Sequence, residues 1–191
     1  MEADMDNGSL TVGSLGAVAK AANTSLAESF ISADLIVLVD VSSSMGACDS
    51  RGGHSRYSVA CEELAALQRS MPGRIAVIAF ASDVEFVPGG VPPNLGGSTN
   101  LADALRFAKV ADVADMRFIV VSDGQPDSEA DALSVARTYA GRIDVIYVGS
   151  EVSASGREFL ERLAKASGGT FTTSAQAQEL SATVQKLMLS A

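Results

Sequence analysis

The 191-residue chain predicts an α/β fold: a doubly wound, mostly parallel sheet with one antiparallel edge strand and helices on both faces. Three observations carry this expectation. From Asp34 onward, short β-branched runs alternate with longer segments of helical spacing. Three of the four principal short runs are almost continuously apolar, as strands covered on both faces should be. Finally, Ile75–Phe80 is followed by Val84–Val87 across the polar turn at Ser82-Asp83, with no room for a helix between them. That pair reads as a hairpin, which makes one edge strand antiparallel.

Taken in order, residues 1–30 are rich in Ala, Ser, Gly and Asn and poor in large apolar side chains. They read as an N-terminal arm or short helix rather than a core element, with the folded domain over 31–191. The strands are expected at Leu35–Val39, Ile75–Phe80, Phe118–Val121 and Ile143–Val148, with the hairpin partner at Val84–Val87. Ala60, Leu64, Leu67 and Met71 form one helical stripe, and Leu101, Leu105 and Ala108 a second. Leu133, Ala136 and Ala140 predict a helix over 128–140, with Asp127 as its N-cap and Gly141 as its stop. Phe159 or Leu160 with Leu163 marks the next helix, which Gly168-Gly169 ends, and Leu180, Val184 and Leu187 mark the last.

Composition narrows the function. Hydrophobic residues make up 47% and charged residues 19%, enough for a core and too few charges for a disordered chain. Lys and Arg number 14 against 23 Asp and Glu, a formal charge of -9 that repels phosphate backbones, so no nucleic-acid partner is expected. The longest aliphatic run, Leu35–Val39, is far short of the ~20 residues that span a bilayer, so no membrane partner is expected either. The N-terminus, Met1-Glu2-Ala3-Asp4, is acidic where a secretory signal is basic, and the expected location is cytoplasmic. Cys48 and Cys61 are too few for a disulfide framework, and with the single His54 they do not make a zinc site.

In doubly wound sheets, ligands bind beyond the carboxyl ends of the parallel strands. Three segments reach that rim here: Asp40-Val41-Ser42-Ser43-Ser44 after the first strand, Gly96-Gly97-Ser98-Thr99-Asn100 before the helix of Leu101, and Ser122-Asp123-Gly124 after the fourth strand. They offer carboxylates and hydroxyls, an oxygen-only set suited to a hard divalent cation. Asp40, Ser42 and Ser44 recur at i, i+2 and i+4, so a turning loop aims all three inward. Thr99 and Asp123 close the ring from neighbouring loops.

This set resembles the metal-ion-dependent adhesion site of the von Willebrand factor type A family: D-x-S-x-S after the first strand, a Thr in a later loop, and an Asp after the fourth strand. The succession of elements from about Asp34 to Leu187 also resembles the Rossmann-like type A domain. The resemblance implies Mg²⁺, with Mn²⁺ or Ca²⁺ as alternatives. It implies direct ligation by Ser42 and Ser44, Thr99 joining in the ligand-bound state, and Asp40 and Asp123 acting through water or hydrogen bonds. An ion held by neutral hydroxyls keeps much of its charge and attracts an outside carboxylate. The implied function is therefore a non-enzymatic module that captures an Asp or Glu side chain of a protein partner, within a multiprotein assembly. The long polar loop 47–55 should border the metal, with Asp49 as an extra water-mediated contact.

Two other functions could use a cation held there. A Mg²⁺-dependent phosphoester hydrolase would need a nucleophile and base, and His54 lies in a glycine-flanked loop with no such partner in sequence. A structural module would use the metal only to stiffen its loops.

Overall fold

A computed structural model describes residues 10–149, 154–173 and 180–189. Among these residues, six strands form one sheet: β1 (Leu35–Asp40), β2 (Ile75–Phe80), β3 (Val84–Phe86), β4 (Arg117–Ser122), β5 (Arg142–Tyr147) and β6 (Phe171–Thr173), in the order β3-β2-β1-β4-β5-β6. All neighbours are parallel except β2 and β3, where Ile78 faces Phe86 and Phe80 faces Val84. The doubly wound fold with one antiparallel edge is thus as the sequence predicts. Every residue of β1, β2 and β4 is buried, which explains their unbroken apolar runs.

Among the described residues, seven α-helices accompany the sheet: α1 (Leu15–Ala22), α2 (Leu26–Ile31), α3 (Arg56–Ser70), α4 (Leu101–Ala108), α5 (Glu129–Ala136), α6 (Ala154–Ala166) and α7 (Leu180–Leu189). The pleat sends alternate strand residues to opposite faces. Ile36, Leu38, Ile78, Phe118 and Val120 meet Leu105, Leu133, Phe159 and Leu163 of α4, α5 and α6. Val37, Val39, Val77, Ile119 and Val121 meet Leu64 and Leu67 of α3 and Val184 of α7. Among the described residues, no helix is long and apolar enough to cross a membrane.

Four details depart from the sequence reading. The stretch before β1, expected as an arm or short helix outside the core, forms helices α1 and α2 that place Leu15, Ala19 and Phe30 in the core, and Phe30 meets Phe86 of the edge strand edge-to-face at 5.0 Å. The sixth strand, β6, is one that periodicity does not reveal. It is three residues long, and it is steered onto β5 by Thr170, whose N–H donates to the buried Asp144 carboxylate (2.7 Å) and whose carbonyl accepts from Val145 N–H (2.8 Å). The third is α5, which ends at Ala136 instead of running to Ala140. Residues 137–141 are pinned from outside: the Asp112 carboxylate accepts from the backbone N–H groups of Ala140 and Gly141, both at 2.8 Å, and Tyr139 Oη donates to the Leu105 carbonyl at 2.5 Å. Gly141 is consequently no left-handed stop; a Cβ there would collide with the Met116 carbonyl. Last, the N-cap of α5 is Ser128, which accepts from Asp131 N–H (3.2 Å), while Asp127 turns elsewhere.

Candidate functional site

The winding reverses beside β1, whose chain goes on to β2 on one side while β4 lies on the other. Loops leaving β1 and β4 therefore part and open a crevice, the place where such sheets bind ligands. Asp40 is the last residue of β1, and Asp123 follows the last residue of β4.

Four of the five sequence-predicted residues join in one hydrogen-bonded group there. Ser42 Oγ and Ser44 Oγ lie 3.1 Å apart, and Ser44 Oγ donates to Asp123 Oδ1 at 2.7 Å. Asp40 Oδ1 accepts from Ser42 N–H (2.9 Å) and Asp40 Oδ2 from Ser122 Oγ (2.6 Å). Asp40, Ser42 and Asp123 are buried, while Ser44 is exposed and leaves the group open to solvent. Burial pushes the Asp40 carboxyl up to about 6, against the hydrogen bonds from Ser122 and Ser42 that favour its charged form; the Asp123 charge adds to the rise.

Thr99 sits on the adjoining loop, and among the described residues its hydroxyl makes no hydrogen bond to the other four. Its backbone is held from two sides. Thr99 N–H donates to Asp127 Oδ1 (3.1 Å), Asp127 N–H donates back to the Thr99 carbonyl (3.0 Å), and Ser98 Oγ donates to Asp127 Oδ2 (2.8 Å). The same loop is stitched to the serine loop: Ser43 N–H donates to the Gly97 carbonyl (3.2 Å) and Gly97 N–H to Ser43 Oγ (2.9 Å). Gly97 makes this possible with a φ of 85° and a backbone so close to Ser82 that a Cβ would strike its hydroxyl.

Arg56 is the residue that the sequence does not single out. It is the first residue of α3, capped by Ser55, and only 8% exposed. Its Nη1 donates to Asp123 Oδ2 at 2.6 Å, while Nε and Nη2 fork onto the two oxygens of Asp49 at 2.8 and 2.5 Å. The Asp49 hydrogen bonds, and after them Asp123, hold the guanidinium more firmly protonated than usual, and Arg56 in turn holds the Asp49 carboxyl below its ordinary range. The Asp49 carboxylate is thus engaged by Arg56. His54, on the same loop, is exposed. No sequence signal links Arg56 to Asp123, 67 positions away.

Among the described residues, no three His, Cys, Asp or Glu side chains are grouped as metal ligands, so the candidate donors are alcohol-rich. Such a set fits a hard divalent cation. Ligands at ~2.1 Å on neighbouring corners of an octahedron are about 3.0 Å apart, close to the 3.1 Å between Ser42 Oγ and Ser44 Oγ.

No protein-family model matches the sequence, and no curated protein matches it. Solved structures do match its fold. An aerotolerance-related membrane protein from Bacteroides fragilis, carrying multiple mutations to serines, aligns with a TM-score of 0.65 at 16% identity, over 83% of this chain and 100% of that one. A von Willebrand factor type A structure from Catenulispora acidiphila aligns with a TM-score of 0.58 at 17% identity, over 82% of this chain and 42% of that one. Manganese-loaded TRAP protein from Plasmodium vivax aligns with a TM-score of 0.56 at 16% identity, over 83% of this chain and 74% of that one. At these identities the likeness is one of fold: the chain has a Rossmann-like architecture of the von Willebrand factor type A kind.

Proposed function

We propose that this chain is a protein-interaction module, without catalysis of its own, that captures a partner's Asp or Glu side chain through a divalent cation. The cation is Mg²⁺ or Mn²⁺, held by Ser42, Ser44 and Thr99, with Asp40 and Asp123 behind them. The observation that carries this reading is the convergence of Ser42 Oγ, Ser44 Oγ and Asp123 Oδ1 at the switch point of the sheet. A manganese-loaded structure among the neighbours of like fold supports a cation of this class.

The chain's own residues divide the work. Ser42 and Ser44 present neutral oxygens, and Asp40 orients Ser42 by accepting its N–H. Ser122 fixes the other Asp40 oxygen from β4. Asp127 and Gly97 hold the Thr99 loop against the serine loop. When bound, the cation supplies a Lewis-acidic position that a carboxylate from outside completes.

Thermal melts of the full chain in Mg²⁺ and in EDTA test this. Saturation at about 100 times Kd adds about 2.7 kcal/mol, or about 5–10 °C for a chain of this size. Ser42→Ala and Thr99→Ala are expected to flatten the response, and a Glu-bearing peptide is expected to bind only with the metal present. Equal melts in Mg²⁺ and EDTA contradict the reading. Stabilisation without peptide binding means that the metal only braces the loops, and turnover of a phosphoester means an enzyme.

A further inference from the structure

The Arg56 guanidinium is buried in the candidate site, where a fixed positive charge competes with a bound cation for the Asp123 carboxylate. The two oxygens of Asp123 are divided, Oδ1 towards Ser44 and Oδ2 towards Arg56. The fork onto Asp49 immobilises the guanidinium plane, so Nη1 is held on Asp123 by a second carboxylate rather than by chance contact. Part of the Asp123 charge is thereby cancelled inside the protein.

We propose that Arg56 is an internal counter-cation that shares Asp123 with the metal, weakening metal binding while leaving the bound ion more of its charge with which to attract a partner's carboxylate. This rests on the reading of Asp40, Ser42, Ser44, Thr99 and Asp123 as the cradle of that ion. Removing the positive charge returns the full Asp123 charge to the cation, so the cation binds more tightly and attracts an external anion less. Arg56 acts through Asp123 and is a positioning residue. A residue that merely braced loop 47–55 would have the opposite signature, because its loss would loosen the cradle and weaken metal binding.

The test is Mn²⁺ titration calorimetry on the full chain, with and without acetate as the carboxylate probe, for wild type, Arg56→Met and Arg56→Lys. Arg56→Met is expected to bind Mn²⁺ on the order of tenfold more tightly, with a smaller enhancement by acetate. Arg56→Lys, which keeps the charge, is expected to stay near wild type. Wild-type binding together with equal or weaker binding by Arg56→Met overturns the proposal and leaves the metal reading intact. Absence of Mn²⁺ binding in both overturns the metal reading and the proposal with it. Should Arg56→Met fail to fold, Asp49→Asn decides: with the guanidinium less offset, Mn²⁺ binding weakens and the acetate enhancement grows. An enhancement that stays at the wild-type value overturns the proposal.

Discussion

Asp40→Asn is expected to make the metal-free protein more stable while abolishing its response to Mg²⁺. Asp40 is fully buried, and in the absence of a cation its charge is met by hydrogen bonds from two residues, Ser42 and Ser122. Its carboxyl rises from an ordinary 3.8 to about 6, which at neutral pH corresponds to about 3 kcal/mol of destabilisation by the charged form. Because the folded value is the raised one, this carboxyl favours the folded state most below 3.8, and the advantage is lost as pH rises through about 6. Asparagine carries no charge but mismatches one of the two donors, at a cost of about 1–2 kcal/mol. The net gain at pH 7 in EDTA is about 1–2 kcal/mol, or about 3–6 °C in Tm. Thermal and urea denaturation in EDTA from pH 4 to 8 measures it. Asp40→Asn should be no more stable than wild type near pH 4 and pull ahead above pH 6. A variant that is less stable than wild type across the whole range refutes the reasoning, because burial of the charge would then cost nothing.

Three further outcomes follow from the same structure. Asp127→Ala removes the acceptor for Thr99 N–H and Ser98 Oγ; at this exposed position the stability loss should be about 1 kcal/mol, with a clear drop in Mn²⁺ affinity measured by calorimetry. Gly97→Ala forces a left-handed backbone and a clash with Ser82, and should lower stability by about 1–3 kcal/mol in denaturant titration as well as the Mn²⁺ affinity. Asp112 stays below its ordinary range although burial raises it, because Lys109 and the N–H groups of Gly141 and Ala140 favour the charged form. Its contribution is present above 3.8 and lost as pH falls through the lowered value, so Asp112→Ala should cost about 2 kcal/mol at pH 7 and progressively less in acid.

The strands that dominate the core were legible because a strand buried on both faces is apolar almost throughout, and few other structures impose that on runs such as Leu35–Val39 or Ile75–Phe80. The loop residues were legible for a different reason. Topology places the ends of β1 and β4 side by side, so chemistry-bearing residues just after two such strands meet without any signal of contact between them. What escaped depends on long-range partners. Phe171–Thr173 is too short and too polar to show a period, and only its pairing with β5 makes it a strand. Leu15 and Phe30 lie in a stretch of mostly small residues with no long apolar stripe, and their burial comes from tertiary packing, Phe30 against Phe86 of β3. The stripe of Leu133 and Ala136 continues to Ala140 in the sequence, but Asp112 and Tyr139 hold that segment outside the helix. Asp127 looks like a helix cap because Asp commonly is one, yet Ser128 has that role and Asp127 serves Thr99. Arg56, one arginine beside a glycine-rich loop, acquires its meaning only when Asp123 is brought to 2.6 Å.

Anomalous scattering from Mn²⁺-soaked crystals tests the central claim most directly. One peak is expected in the crevice between β1 and β4, about 2.1 Å from both Ser42 Oγ and Ser44 Oγ, with its open side facing solvent. A map with no peak there, or with manganese bound only elsewhere on the acidic surface, contradicts it.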